Sequence, residues 1–212
     1  MKRWAMRHAS VFGLGLALAA LALSAATRTG FAANAAPSAS SGDKLNAAAW
    51  QMGSRWIQFR AGYAKAQGAN EPDGAGGYGF GFQRMMTNRV SLGLNVQHDL
   101  LGTFGAASKI EIPVVLEMLW HFNWSAGLHP YLGGGVGAAY RYTYRTGDDF
   151  SSWQPVLSFS TGTNFPVGKN SVLGLDLRMA GVSSDAPDNP VFGTEEPRSI
   201  HWSFKLTYAV TQ

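Results

Sequence analysis

The stretch Leu132 to Tyr144, Leu-Gly-Gly-Gly-Val-Gly-Ala-Ala-Tyr-Arg-Tyr-Thr-Tyr, constrains the fold of this chain more than any other. Taken at every second residue, one face is Leu132, Gly134, Val136, Ala138, Tyr140, Tyr142 and Tyr144. The other is Gly133, Gly135, Gly137, Ala139, Arg141, Thr143 and Arg145. Alternation with period two marks a strand whose faces meet different surroundings. A soluble sandwich turns a hydrated, charge-rich face to water, and a row of glycines makes a poor one. Small residues followed by charge suit the crowded polar inside of a narrow barrel whose apolar side faces lipid.

The same rhythm recurs in eight segments, separated by Gly, Pro, Asn and Asp clusters. They are Trp56 to Ala66, Gly77 to Met85, Arg89 to Leu100, Ser108 to Phe122, the stretch above, Trp153 to Phe165, Ser171 to Gly181, and a last one through Ile200 to Val210. The third shows the contrast well: Val90, Leu92, Leu94 and Val96 against Ser91, Gly93, Asn95, Gln97 and Asp99. Each segment is long enough for a tilted strand to cross a bilayer. Short turns are expected after the second, fourth and sixth segments and longer loops after the first, third, fifth and seventh, as in barrels with short inner turns. With odd strands running outward, Tyr78, Tyr140, Tyr142, Tyr144, Trp153 and Trp202 gather at the outer rim, and Trp120, Phe122, Phe165 and Tyr208 at the inner one. Two such aromatic girdles mark membrane interfaces. The fold predicted is all-β, an eight-stranded antiparallel up-and-down transmembrane barrel. The soluble alternative, a lipocalin-like barrel around a ligand, would turn Leu92, Leu116, Leu175 and Leu206 inward instead.

Composition agrees. Charged residues make up 14% of the 212, against roughly 25% in soluble domains. The absence of cysteine excludes disulfides and thiolate metal sites. Lys2, Arg3 and Arg7, an apolar run from Val11 to Leu23 and the small residues Ser24, Ala25 and Ala26 read as a secretory signal peptide. That run is too short for a spanning helix. Cleavage after Ala26 or after Ala35 is consistent with the pattern, so residues 1–35 are assigned to the signal, 36–54 to a flexible lead-in and 55–212 to the barrel. Losing Lys2, Arg3, Arg7 and Arg28 reduces 17 basic residues to 13, equal to the 13 acidic ones. The formal charge of +4 therefore gives no reason to expect a nucleic-acid partner.

The chain after the leader resembles the small eight-stranded outer-membrane barrels of the OmpA-transmembrane, OmpX and OmpW type. Arg60-Ala61-Gly62-Tyr63, Pro130-Tyr131-Leu132-Gly133-Gly134-Gly135-Val136-Gly137 and Val172-Leu173-Gly174-Leu175-Asp176-Leu177-Arg178 carry the resemblance. Chains of this kind commonly end on an aromatic residue, whereas here Ala209-Val210-Thr211-Gln212 follows Tyr208. The resemblance implies residence in the bacterial outer membrane, contact with its lipid and lipopolysaccharide, insertion by the outer-membrane assembly machinery, and a monomer. It implies no cofactor.

The inward face collects Arg60, Lys109, Glu111, Glu117, His121, Arg141, Asp176, Arg178, His201 and Lys205. So many charges in a narrow lumen must pair. Glu117 with Arg141, and Asp176 with Lys205, are the expected partners, and the network is read as a polar plug or as the lining of a narrow channel for small solutes. Lipid A deacylases share this barrel, and that resemblance implies a His-x-Ser pair on the penultimate strand with a Glu on the last. Here the penultimate strand reads Arg178-Met179-Ala180-Gly181, and His201-Trp202-Ser203 has the spacing only on the last strand. No catalytic residue is assigned on this basis. The histidines are scattered, so no metal site is expected. Glu71, Asp73, Asp148, Asp149, Asp185, Asp188, Glu195 and Glu196 fall in outer loops, where they are solvated or bridge divalent cations to lipopolysaccharide phosphates.

Overall fold

The computed structural model describes residues 48–67, 71–122, 127–145, 148–182 and 199–212. The signal segment and most of the lead-in lie outside these, as do Asp185, Asp188, Glu195 and Glu196. Eight strands follow in order: β1 (Arg55–Gln67), β2 (Ala75–Met85), β3 (Val90–Phe104), β4 (Ala107–His121), β5 (His129–Arg145), β6 (Asp148–Gly168), β7 (Ser171–Val182) and β8 (Ser199–Thr211). Each pairs antiparallel with the next, and β1 pairs with β8, which closes the barrel and leaves no free edge.

The faces sort as the alternation requires. Along β8 burial alternates without a break, with Ser199 to Thr211 inward at odd numbers and Ile200 to Val210 outward at even ones. Leu206 is 60% exposed and Leu175 36%, while Lys205 and Asp176 are fully buried. Leu92 and Leu116 also lie on the outward faces of β3 and β4. The leucines that a soluble barrel would pack in its middle therefore form an apolar belt on the outside, and the charges are inside.

Turn lengths depart from the expected alternation. β3 and β4 are joined by Gly105 and Ala106 alone, and only residues 146–147 separate β5 from β6. Gly105, at φ +59°, supplies the left-handed backbone that so tight a connection demands. The residues Leu101 to Phe104, expected as loop, instead extend β3 past a bulge at Leu100/Gly102, with Gly102 at φ +100°. β5 and β6 likewise continue to Arg145 and Asp148, so these two hairpins stand taller than the rest of the barrel.

At the end carrying Arg55 and Thr211, here termed the inner end, Ala48–Trp50 forms a single 3-10 turn against the barrel mouth. Trp50 is 4% exposed and stacks on His129 with ring centroids 3.7 Å apart, and it meets Trp56 edge-on at 5.3 Å. The Trp56 indole donates to the Ala49 carbonyl at 2.7 Å. Ala49, Trp50, Trp56, Met85, Val172 and Ala209 form an apolar layer that caps this end. Residues 48–54, the last part of the segment read as a lead-in, are thus placed against the mouth.

Candidate functional site: the charged lumen

The lumen is built from residues that period two sends inward, and its partners are chosen by which walls face one another. Near the inner end, Gln58 donates to Gln83 at 2.6 Å, and Gln83 in turn meets Ser91 and His121. Above this layer Glu117 on β4 is held from both sides. Arg60 on β1 lies 3.2 Å from one carboxylate oxygen and Arg178 on β7 lies 2.5 Å from the other. Asp176 accepts the Tyr131 hydroxyl at 2.6 Å and lies 3.8 Å from Arg178.

The outer layer contains two further groups. Lys205 on β8 spans the lumen to Asp99 and Gln97 on β3. Arg141 on β5 pairs with Glu111 at 3.1 Å, directly opposite in the β4–β5 register. Glu111 also takes the His201 Nδ1 at 2.8 Å. Glu71 turns down from the first loop to Lys109 at 3.2 Å and to Arg141 at 3.9 Å. Among the described residues, five cations (Arg60, Lys109, Arg141, Arg178, Lys205) and five carboxylates (Glu71, Asp99, Glu111, Glu117, Asp176) are thus buried together in balance.

Neither expected pair forms. In the β4–β5 register Glu117 stands opposite Gly135 while Arg141 stands opposite Glu111, so Arg141 is too far along the axis to reach Glu117. Asp176 and Lys205 are register partners, yet the long lysine reaches the far wall and the short aspartate finds Tyr131. Glu71 is a second correction: it is a lumen residue, with its side chain 1% exposed, and not a solvated loop acid. Asp73 does face solvent, 4.0 Å from Lys65. Tyr131, Asp99, Ser199 and the glutamines join the expected residues in the lumen, and their inward position follows from the same alternation.

The glycine row has a packing reason. Gly133, Gly135 and Gly137 face Leu119, Glu117 and Val115 across β4–β5. A Cβ on Gly135 would come 2.6 Å from Val115 Cγ1, closer than atoms can sit. Val115, Ala139, Val156, Ala180 and Val182 fill this part of the lumen. A cavity of about 20 Å³ remains between the outer and central layers, bordered by Asp99, Glu111, Val115, Arg178, His201 and Ser203. That is space for about one water molecule.

The histidine–serine spacing on β8 does not bring the two side chains together. His201 does not engage Ser203; its Nε2 meets Ser199 Oγ at 2.9 Å and Arg141 Nη2 at 2.8 Å. With Nδ1 donating to Glu111, Ser199, His201 and Glu111 have the connectivity of a serine-hydrolase relay. Arg141 Nη2 also donates to Ser199 Oγ at 2.7 Å, and Ser199 is 2% exposed, so no acyl carbon has room beside it. Among the described residues no group of His, Asp and Glu is placed to hold a metal ion.

On the outer wall, Tyr78, Trp120, Phe122, Tyr144, Trp153, Phe165, Trp202 and Tyr208 are exposed. Tyr140 and Tyr142 are half-buried, and the Tyr140 and Trp153 rings lie 5.4 Å apart.

No family model matches the chain, and no curated protein does. Solved structures match. Neisserial surface protein A superposes with a TM-score of 0.60 at 15% identity, over 74% of this chain and 98% of that one. Ail, the attachment invasion locus protein of Yersinia pestis, gives 0.54 at 11% identity over 76% and 100%. The N-terminal β-barrel domain of Pseudomonas aeruginosa OprF gives 0.50 at 15% identity over 76% and 98%. At such identities the likeness is one of fold. Closed on itself, apolar outside and charged within, the chain is a transmembrane eight-stranded β-barrel of the outer-membrane type.

Proposed function

We propose that this protein is a non-enzymatic barrel of the bacterial outer membrane, serving as a structural or surface-presenting scaffold. The observation that carries the reading is the filled lumen: balanced charge, an apolar waist and a tryptophan cap leave room for about one water in the bordering cavity. A channel for small solutes would require that network to rearrange. The exposed aromatics at the two ends are read as interface girdles, which supports a barrel surrounded by lipid and lipopolysaccharide; insertion by the assembly machinery and a monomeric state are part of the same proposal. The tall β3–β4 and β5–β6 hairpins are the surface such a scaffold presents. Ail, a barrel of like fold, has been solved in complex with the heparin analogue sucrose octasulfate.

Cell fractionation, with gel mobility before and after boiling, tests the location and fold. Planar-bilayer recording of the purified protein then tests the closed lumen: absence of stable conductance steps is expected, and reproducible steps would favour the channel.

A second reading, a hydrolase acting on lipid A or another ester, is favoured by the Ser199–His201–Glu111 geometry. Labelling with a serine-directed fluorophosphonate separates the two. No label on Ser199 is expected, and stoichiometric label lost in Ser199→Ala would reverse the assignment.

A further inference from the structure

Arg55 on β1 and Arg84 on β2 stand directly opposite one another in the β1–β2 register, both exposed and both on the outward face. Toward the waist of the barrel the next outward pair is Ile57 with Phe82, and the next is Phe59 with Phe80, whose rings lie 5.3 Å apart. Two cations therefore sit above two tiers of exposed apolar side chains on one strip of wall. Directly opposite residues bring their Cβ atoms to about 4.5–5.5 Å, where like charges repel. Among the described residues this end of the barrel exposes no Asp or Glu side chain to relieve the repulsion, while Arg89 and Lys169 add further positive charge in the adjoining turns. A chain-terminal carboxylate at Gln212, beside Arg55, would offset only one of these charges.

We propose that this strip binds a diacyl lipid with a net-negative phosphodiester headgroup, in the leaflet surrounding the inner end. The two guanidiniums fork the phosphate oxygens, and an acyl chain lies along Ile57, Phe59, Phe80 and Phe82. The arginines sit on the lateral wall, and the apolar tiers below them are continuous with the membrane belt. A lipid fits that geometry, whereas a soluble partner would approach along the barrel axis. Two charges of one sign select a net-negative headgroup over a zwitterionic one.

The inference rests on the membrane reading above, and the test separates the two. The full chain is placed in phosphatidylcholine nanodiscs containing a trace of photoactivatable phosphatidylglycerol or phosphatidylcholine, and crosslinks are mapped by peptide. Phosphatidylglycerol is expected to label the β1–β2 strip in preference to phosphatidylcholine. That preference is expected to fall about five-fold for each arginine removed in Arg55→Gln and Arg84→Gln, and to be unchanged in Lys65→Gln at the other end. Heat-modified gel mobility identifies folded variants, and Arg84→Gln alone carries the test if the double variant does not fold. Equal labelling by both lipids, a preference that survives both substitutions, or one lost equally in Lys65→Gln would overturn the proposal. Failure of the wild-type chain to enter bilayers in a heat-modifiable form would overturn the membrane reading, and this inference with it.

Discussion

The Glu117 carboxylate on β4 lies 2.5 Å from the Arg178 guanidinium on β7, three strands away around the barrel. The second oxygen of Glu117 meets Arg60 on β1. One acid therefore bridges two buried cations from two walls, with Asp176 as the second acid beside Arg178, and ties three strands that do not touch as neighbours.

Glu117→Gln puts a neutral amide between the buried Arg60 and Arg178 guanidiniums and leaves Asp176, 3.8 Å from Arg178, as the remaining acid. Breaking a buried pair from one side costs about 3–5 kcal/mol. A matching loss of stability in denaturant titrations followed by gel mobility is expected. An unchanged midpoint would mean that Glu117 does not hold the arginines.

Lys205 tests whether the outer layer is a matched set. Lys205→Met strands the Asp99 carboxylate, which is 6% exposed, and is expected to destabilise by several kcal/mol. Adding Asp99→Asn is expected to return much of that loss, because an amide tolerates an apolar neighbour where a carboxylate does not. A double variant no more stable than Lys205→Met, in the same titration, would deny the coupling.

Gly135→Val fills the space occupied by Val115 and is expected to cost about 1–3 kcal/mol from overpacking. Val115→Ala in the same chain is expected to recover part of it. A Gly135→Val variant that melts with the wild type would show that the glycine row has no packing role.

Trp50→Ala removes the ring stacked on His129 and leaves Trp56 facing the open mouth. Acrylamide quenching of Trp56, read in a chain whose other tryptophans are replaced by phenylalanine, is expected to rise severalfold with the barrel still heat-modifiable. Quenching equal to that with phenylalanine at position 50 would mean that the turn does not cap the lumen.

Much of this architecture is legible in the residues. Period two is a local property, so Ser199 to Thr211 can be sorted into inward and outward sets without knowing any partner strand. The direction of the sorting follows from chemistry: a face of Gly, Asp, Arg and Lys cannot meet hydrocarbon, and a face of Leu, Phe and Trp needs to. Eight strands, an apolar exterior and a charged interior follow. The tight β3–β4 connection was harder to read, because Leu101-Gly102-Thr103-Phe104 contains a bulge glycine that interrupts the alternation and resembles a loop.

What the amino-acid order determines by itself is which side of each strand every residue takes, because adjacent side chains on an extended chain must point opposite ways. Which charges meet is decided only by the closed barrel. Arg60 and Glu117 are 57 residues apart, and Arg141 and His201 are 60 apart. Their approach depends on strand register and on a lumen narrow enough for side chains from facing walls to touch. The placements of Glu71 and Trp50 have the same origin: a loop acid and a lead-in tryptophan are drawn into the two mouths by clustered cations and by apolar surface that exist only once the eight strands have closed.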